Sequence, residues 1–324
     1  MRALVTGGAG FIGSHIVELL VERADSVAVI DNFATGRIEN LEALANRVEI
    51  HRLDLARDDV APVLENGRFD VVIHAAGNAS IPASVADPRR DLEDNVLTTQ
   101  NLLESVRRVS PGSFVVNLSS ATVYAEGSDD PMPEDYPREP VSPYGVSKLA
   151  AELYTTVYSR VYGLRTASVR IFSVFGPRLR KQVVWDFMSR LASNPLELVI
   201  QGDGSERRDP SHVRNVAQAV LLVAERSPMT GDVYNLGSRD SISIDQLARD
   251  IASAMGVDPI IRHSGKRGAG HPRTWRADTR RIESLGYEQE VSYKDGLAQT
   301  VAWFKLLEHP LGSGPHEAIV PSLQ

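Results

Sequence analysis

The sequence has no cysteine, which excludes disulfides, thiolate metal ligands, iron–sulfur clusters and a cysteine nucleophile. It has no surplus of positive charge. Its 35 Lys and Arg stand against 42 Asp and Glu, a formal net charge of -7, so no broad cationic surface serves nucleic acid or anionic lipid. No apolar run approaches the ~18 residues of a membrane span. The opening MRALVTGGAGFIG has one basic residue and no signal-peptide cleavage pattern, and the expectation is a soluble cytoplasmic protein. The eight histidines show no H-x-x-x-H or H-x-H spacing with carboxylates, so no metal site is expected. What remains is 324 residues, 42% hydrophobic, enough for two domains or one large α/β unit.

From Arg2 to about residue 175, short β-rich runs (RALVT, SVAVID, RVEIHRLD, FDVVIHAA, SFVVNLSS, TASVRIF) alternate with helical patterns. Strands alternating with helices predict a doubly wound parallel sheet, an α/β fold of Rossmann type. The texture changes after Phe175, where a smaller α/β lobe is expected over 176–310. HVRNVAQAVLLVAE is apolar enough for a segment around 209–238 to pack back on the first lobe. The Pro-, Gly- and Ser-rich stretch 311–324 is expected to be a mobile tail.

The first strand runs into Thr6-Gly7-Gly8-Ala9-Gly10-Phe11-Ile12-Gly13, which opens a helix. Gly8, Gly10 and Gly13 satisfy G-x-G-x-x-G in the strand–turn–helix context that lets a backbone approach a pyrophosphate at a helix N-terminus. Asp31 ends the next strand, where a carboxylate accepts hydrogen bonds from an adenosine ribose and repels a 2′-phosphate, favouring NAD over NADP. Asp54-Leu55 and Ala75-Ala76-Gly77 follow strands three and four at the carboxyl edge, where such sheets bind ligands. Asp54 either reaches the adenine amino group or caps the helix of LARDDVAPVL.

Beyond strand five come Ser119, Ser120, Thr122 and Tyr124, then Ser142-Pro143-Tyr144-Gly145-Val146-Ser147-Lys148 at the start of a helix. Tyr144 and Lys148, four apart, share a helix face. A phenol of pKa near 10 is a poor base at neutral pH, but a neighbouring ammonium and a cationic nicotinamide ring both stabilise its phenolate. Such a tyrosine can take a hydroxyl proton.

Together TGGAGFIG, VIDNFATG, HAAG, NLSSATVY, SPYGVSK and RIFSVFGPR resemble the extended short-chain dehydrogenase/reductase family, in particular its nucleotide-sugar 4-epimerases. The resemblance runs to about Asn235, and more loosely to LGY at Leu285. It implies a tightly held NAD that takes a hydride from sugar C-4 and returns it to the other face of a 4-keto intermediate. By position, Tyr144 is the base, Lys148 lowers its pKa and holds the nicotinamide ribose, and Ser120 hydrogen-bonds the reacting oxygen. Thr122 lies close enough to assist. The cofactor contacts carried over are Gly7, Gly10, Phe11, Ile12, Gly13, Asp31, Asn32, Asp54, Leu55, Ala75, Ala76, Gly77 and Asn95, with Tyr144 and Lys148. Ser84 also matches a site position. For Ser84, Asn95 and Thr122, loop capping and helix-start hydrogen bonding remain open alternatives.

The resemblance also places Ser173, Arg178, Arg180, Arg208, His271 and Trp275 around the substrate, UDP-glucose or UDP-glucuronate. Guanidinium forks such as that of Arg208 suit diphosphate oxygens. Arg180 matches an arginine used against a uronate carboxylate, and Trp275 a position where bulky aromatics accompany plain hexoses. His271 replaces a usual Asp, which puts the nucleotide preference in doubt. Dehydratases of this superfamily have an acid before the Val-Tyr after strand five, where this chain has Ala121-Thr122. Epimerisation is therefore the expectation, with dehydration, or a non-catalytic NAD-binding regulator, as alternatives. Helices over Thr98 to Val109 and Val146 to Tyr162 resemble those that pair in the family's homodimer.

Overall fold

The computed structural model describes residues 1–125, 127, 130–265 and 274–307. Its first half runs β1 (Arg2–Thr6), α1 (Phe11–Glu22), β2 (Ser26–Asp31), β3 (Val48–Arg52), α2 (Ala61–Gly67) and β4 (Val71–His74). There follow α3 (Ile81–Ala86), α4 (Pro88–Leu92), a π-turn (Glu93–Leu97), α5 (Thr98–Val109), β5 (Phe114–Ser120), α6 (Pro143–Tyr162) and β6 (Arg165–Ile171). The second half contributes β7 (Ser173–Phe175), α7 (Gln182–Ser193), β8 (Glu197–Ile200), β9 (Arg207–Arg208), β10 (Pro210–His212), α8 (Val213–Arg226) and β11 (Thr230–Leu236). It closes with β12 (Ile242–Ser243), α9 (Ile244–Met255), β13 (Ile260–His263), α10 (Arg280–Glu283) and α11 (Tyr293–Lys305).

Seven strands form one sheet in the order β11-β6-β5-β4-β1-β2-β3, every pairing parallel. Successive side chains leave a strand on opposite faces, and a sheet buried on both sides must be apolar on both. Ala3 and Val5 of β1 and Val71 and Ile73 of β4 meet Ile16, Val17 and Leu20 of α1 and Val216 and Val220 of α8 on one face. Leu4, Val72 and Val115 meet Leu64 of α2 and Leu102, Leu103 and Val106 of α5 on the other. Thus α8 and β11, though they follow α7 in sequence, complete the first lobe.

The second lobe has its own core, with Phe187, Met188 and Leu191 of α7 against Leu247 and Ile251 of α9 and Leu297, Val301 and Phe304 of α11. A short parallel pair of β8 and β13 covers it, while β7 pairs with β10 and β9 with β12. Because all seven strands of the large sheet point one way, Thr6, Asp31, His74, Ser120 and Ile171 share its carboxyl edge. The strand order reverses between β1 and β4, where such a sheet opens a crevice for a ligand.

Candidate active site

The glycine-rich turn differs in one detail from the sequence reading. Its left-handed residue is Gly7 (φ +66°), whereas Gly8 packs on Val29 inside the sheet. The operative spacing is therefore Gly7, Gly10 and Gly13, three apart each time. A β-carbon on Gly7 would lie 2.6 Å from the amide of Ala76, so the turn is pressed on the Ala75-Ala76 segment after β4. One on Gly13 would lie 2.1 Å from the Gly7 carbonyl, which brings α1 against the turn. Gly10, the N-cap of α1, faces only that carbonyl at 3.0 Å. Phe11 and Ile12 form the first turn of α1, where main-chain N–H groups have no intrahelical partner.

Asp31 is 7% exposed and binds the turn directly, accepting the Ala9 N–H at 2.9 Å and the Phe33 N–H at 2.8 Å. Burial raises its carboxyl above the usual range, and these two bonds oppose that rise. Asn32 accepts from the Ala34 N–H. Asp54 is not the cap of α2, which starts at Ala61; it closes a turn by accepting from the Ala56 N–H at 3.0 Å. Leu55 is buried in the core under that turn. Gly77 has φ +144°, and a β-carbon there would touch Asn95 Oδ1 at 2.5 Å.

The serine, tyrosine and lysine arrive from two elements. Ser120 ends β5 and caps the turn Ala121–Val123, its Oγ accepting from the Thr122 N–H (3.2 Å) and Thr122 hydroxyl (3.0 Å). Ser142 caps α6, Pro143 fills its first position, and Gly145 lets the helix start press on the Thr122 carbonyl, which a β-carbon would meet at 2.3 Å. That contact sets Tyr144 beside Ser120. Burial pushes the phenol up to about 12, Ser120 pulls it down and Asp91 adds to the rise. Lys148, 8% exposed, donates to the Leu118 carbonyl of β5. Burial pushes it down to about 8, against the upward pull of Asp91 and Glu152. Ser84 is fully buried and accepts the Tyr144 N–H at 3.1 Å, the helix-start bond left open by the sequence.

Asp91, 2% exposed, escaped the sequence reading, as nothing in DPRRDLEDN distinguishes it from its acidic neighbours. Asn95 sits in the π-turn, donating to Asp91 Oδ1 (3.0 Å) and Ser147 Oγ (3.1 Å). His74 is held between Thr6 (2.8 Å) and Thr99 (3.0 Å), and burial pushes it down to about 3, so it is neutral at working pH. Among the described residues no group of His, Asp and Glu is arranged to hold a metal, and no helix is long and apolar enough to cross a membrane.

The residues assigned to the substrate side are more dispersed. Ser173 opens β7 beside Pro210. Arg178 pairs with Glu18 (3.2 Å) and donates to Ser14 (3.3 Å), so its charge engages α1. Arg180 lies against the indoles of Trp185 and Trp303, 5.9 and 5.6 Å from their centroids, with Arg37 and Glu39 as its charged neighbours. Arg208 lies 5.8 Å from the ring of Trp275, which packs behind Ala121, Val123 and Tyr124. The indole N–H of Trp275 is buried without a partner among the described residues. His271 and the expected tail lie outside the described residues.

A reversing parallel sheet, a glycine turn held by an acid, and a Ser-Tyr-Lys cluster at one edge define a dinucleotide-dependent enzyme fold. The chain belongs to the NAD dependent epimerase/dehydratase family, whose profile matches residues 3–237. It is 32% identical to the UDP-glucose 4-epimerase of Mycolicibacterium smegmatis over 94% of this chain and 99% of that one. It is 31% identical to the dTDP-glucose 4,6-dehydratase of an Actinoplanes species over 94% and 98%. The structure of Thermus thermophilus UDP-glucose 4-epimerase in complex with NAD matches with a TM-score of 0.87 and 34% identity, over 95% of this chain and all of that one.

The chain is thus of the NAD-dependent nucleotide-sugar epimerase and dehydratase superfamily. The residues present fit NAD. The surroundings of Gly10 are a cradle that a larger side chain would fill, Asp31 is a buried acceptor at the end of β2, and Asn95 Oδ1 is buried and unpartnered among the described residues.

Proposed function

We propose that the protein is a nucleotide-sugar 4-epimerase acting on a UDP-linked hexose. The observation that carries this reading is the Ser120, Tyr144 and Lys148 cluster, assembled at the carboxyl edge beside a turn, Ala121–Val123, that presents no acid. When bound, NAD supplies the acceptor and donor of the hydride exchanged with sugar C-4.

Tyr144 takes the C-4 hydroxyl proton and later returns it, while Ser120 holds the reacting oxygen by hydrogen bonding. Lys148 favours the phenolate by its charge, and its bond to Leu118 fixes its direction. Asp31 accepts from the adenosine ribose, and the amide groups of the first turn of α1 receive the pyrophosphate. Arg208 is assigned to the substrate's diphosphate, for which a guanidinium fork is suited, and Trp275, 5.8 Å from it, to the wall that favours a plain hexose. Because Arg180 lies near two indoles, 5.9 and 5.6 Å from their centroids, we give the neutral hexose precedence over the hexuronic acid.

The test is proton NMR of the purified protein incubated with UDP-glucose, UDP-glucuronate, UDP-N-acetylglucosamine and dTDP-glucose. A C-4 epimer of UDP-glucose is the expected product. Loss of water from dTDP-glucose, or no turnover of any donor by NAD-loaded protein, overturns the proposal.

A further inference from the structure

Asp209 follows Arg208 in the chain and is fully buried, and the reaction scheme does not use it. Three donors converge on its carboxylate. Oδ1 accepts the main-chain N–H of Ser238, just past β11, and the Ser238 hydroxyl at 2.7 Å, while Oδ2 accepts the Ala277 N–H at 2.9 Å. A β-carbon on Gly237 would lie 2.5 Å from Oδ2, so a glycine there leaves the acid its place. A site made only of donors suits a carboxylate, which only accepts.

The segment that carries Ala277 also carries Trp275. On one side it pairs with Met132, whose N–H reaches the Arg276 carbonyl at 2.9 Å and whose carbonyl takes the Asp278 N–H at 3.0 Å. Main-chain groups of an extended segment point alternately to its two sides, so the Ala277 N–H faces away from Met132. Asp209 supplies the acceptor on that other side. Three residues earlier, Thr274 bridges Arg207, so the segment runs along β9. The two arginines of β9 then part company. Arg207 donates to the Ser241 hydroxyl at 3.0 Å, whereas the Arg208 guanidinium lies 5.8 Å from the ring of Trp275. Trp275 itself packs with Ala121 and Val123 of the turn after Ser120.

We propose that Asp209 is a positioning residue for substrate binding: its carboxylate ties the Trp275 segment to β9 and to the end of β11, and so fixes the indole against which Arg208 is set. The inference rests on the reading of Arg208 as the partner of the diphosphate. Being fully buried, Asp209 acts through these two side chains. In Asp209→Asn the amide oxygen stays with Ser238, which offers two donors, and the NH2 group turns to the Ala277 N–H. That variant breaks one bond selectively, the one that holds the Trp275 segment. Ser238→Ala removes a donor from the opposite oxygen and leaves the Ala277 bond in place.

The experiment is calorimetric titration of the NAD-loaded proteins with UDP and with dTDP, beside steady-state kinetics on UDP-glucose. Asp209→Asn should weaken diphosphate binding by about tenfold or more, the equivalent of one lost hydrogen bond to a charged group. Its KM should rise in step, with a much smaller change in kcat. Ser238→Ala should keep the parent's diphosphate affinity, and both variants should hold NAD as the parent does, by fluorescence titration. If Asp209→Asn fails to fold by circular dichroism, Asp209→Ser, whose short hydroxyl serves one side of the site, takes its place. Unchanged diphosphate affinity in the neutral variant overturns the proposal, even where its melting temperature falls. An equal loss in Ser238→Ala, or a matching loss of NAD, also overturns it, by making the acid a general brace. So does a parent that binds neither diphosphate. Weakened diphosphate binding in a protein that turns over no nucleotide sugar leaves this inference standing and removes the epimerase reading instead.

Discussion

Glu152 grips Arg170 with both oxygens, at 2.6 and 2.8 Å, and both side chains are 1% exposed. The pair lies one helical turn beyond Lys148 and joins α6 to β6. Glu152 also accepts from Ser119, the neighbour of Ser120, while Arg170 donates to the Tyr124 hydroxyl, which donates to Asn235 of β11. The helix that carries Tyr144 and Lys148 is thus tied to three strands by groups that water does not reach. Glu152→Ala should destabilise the fold by about 3–5 kcal/mol, because it strands a buried guanidinium. Urea denaturation of the two proteins at pH 7 measures this, and a loss under about 1 kcal/mol would mean that the pair is not what fixes α6.

The glycine turn separates folding from cofactor binding. At Gly13 a methyl meets the Gly7 carbonyl at 2.1 Å, and backbone on both sides leaves it nowhere to go. Gly13→Ala should cost about 1–3 kcal/mol of stability and also lose NAD. At Gly10 the same methyl faces one carbonyl at 3.0 Å in an extended backbone (φ -73°, ψ 179°) that any residue adopts. Gly10→Ala should keep its melting temperature without cofactor yet bind NAD more weakly, as read by fluorescence titration. Equal melting losses in both variants would contradict the distinction.

His74 sets a limb of the stability profile. Burial holds its folded-state pKa at about 3, against 6.5 for an ordinary histidine. Between these values the unfolded chain binds a proton that the folded chain refuses, so stability rises with pH across that window. Its contribution is complete above about pH 6.5 and is lost as pH falls toward 3, with a slope of at most about 1.4 kcal/mol per unit. His74→Asn should be less stable than the parent at pH 7, with the gap closing by pH 4. Parallel denaturation curves at the two pH values would show that His74 does not titrate in this way.

The sheet and the gathering of Ser120, Tyr144 and Lys148 were legible because each rests on a local pattern: alternating apolar runs between turns for the strands, Ser-Pro-Tyr-Gly for the start of α6. Gly7 was harder, since Gly7 and Gly8 are adjacent and only the backbone torsion tells which one turns left-handed. The π-turn Glu93–Leu97 ahead of α5 has no sequence mark, yet it places Asn95. Asp91 was hidden for a related reason. Its burial comes from α4 lying against α6, a long-range contact, while the surrounding charges read as a solvated face. Arg178 and Arg180 followed family positions, but their partners, Glu18 and the paired indoles, lie far away in sequence.

Removal of the proposed base tests the chemistry directly. Tyr144→Phe should lower kcat by about 10²–10⁴-fold, the range for loss of a positioned acid–base group. The variant should still hold NAD, because Asp31 and the glycine turn are untouched. Ser120→Ala should be milder, since it removes one hydrogen bond to the reacting oxygen. Retained turnover in Tyr144→Phe, by the same NMR assay, would move the proton transfer to another group.

An apolar stripe on α6 carries a last prediction. Val146, Leu153, Val157 and Val161 recur at helical spacing and are 54, 44, 46 and 65% exposed. Tyr154 and Tyr162 flank them, and Leu92 and Leu97 are exposed just ahead of α5. The opposite face of the same helix is buried, with Lys148, Ala151, Glu152 and Thr155 turned into the first lobe. A stripe of this length in water favours a partner surface of the same kind. The proposed occupant is a second copy, with α5 and α6 of two chains packed as a four-helix bundle. Light scattering should give about twice the 35.4 kDa of one chain. A charge at the middle of the stripe, Val157→Asp, should shift the mass to a single chain, because an unpaired carboxylate in such an interface costs several kcal/mol. Since α6 also carries Tyr144 and Lys148, that monomer should be less active than the parent, and the parent should lose activity as it dissociates on dilution. A parent protein that is monomeric at micromolar concentration would refute the pairing.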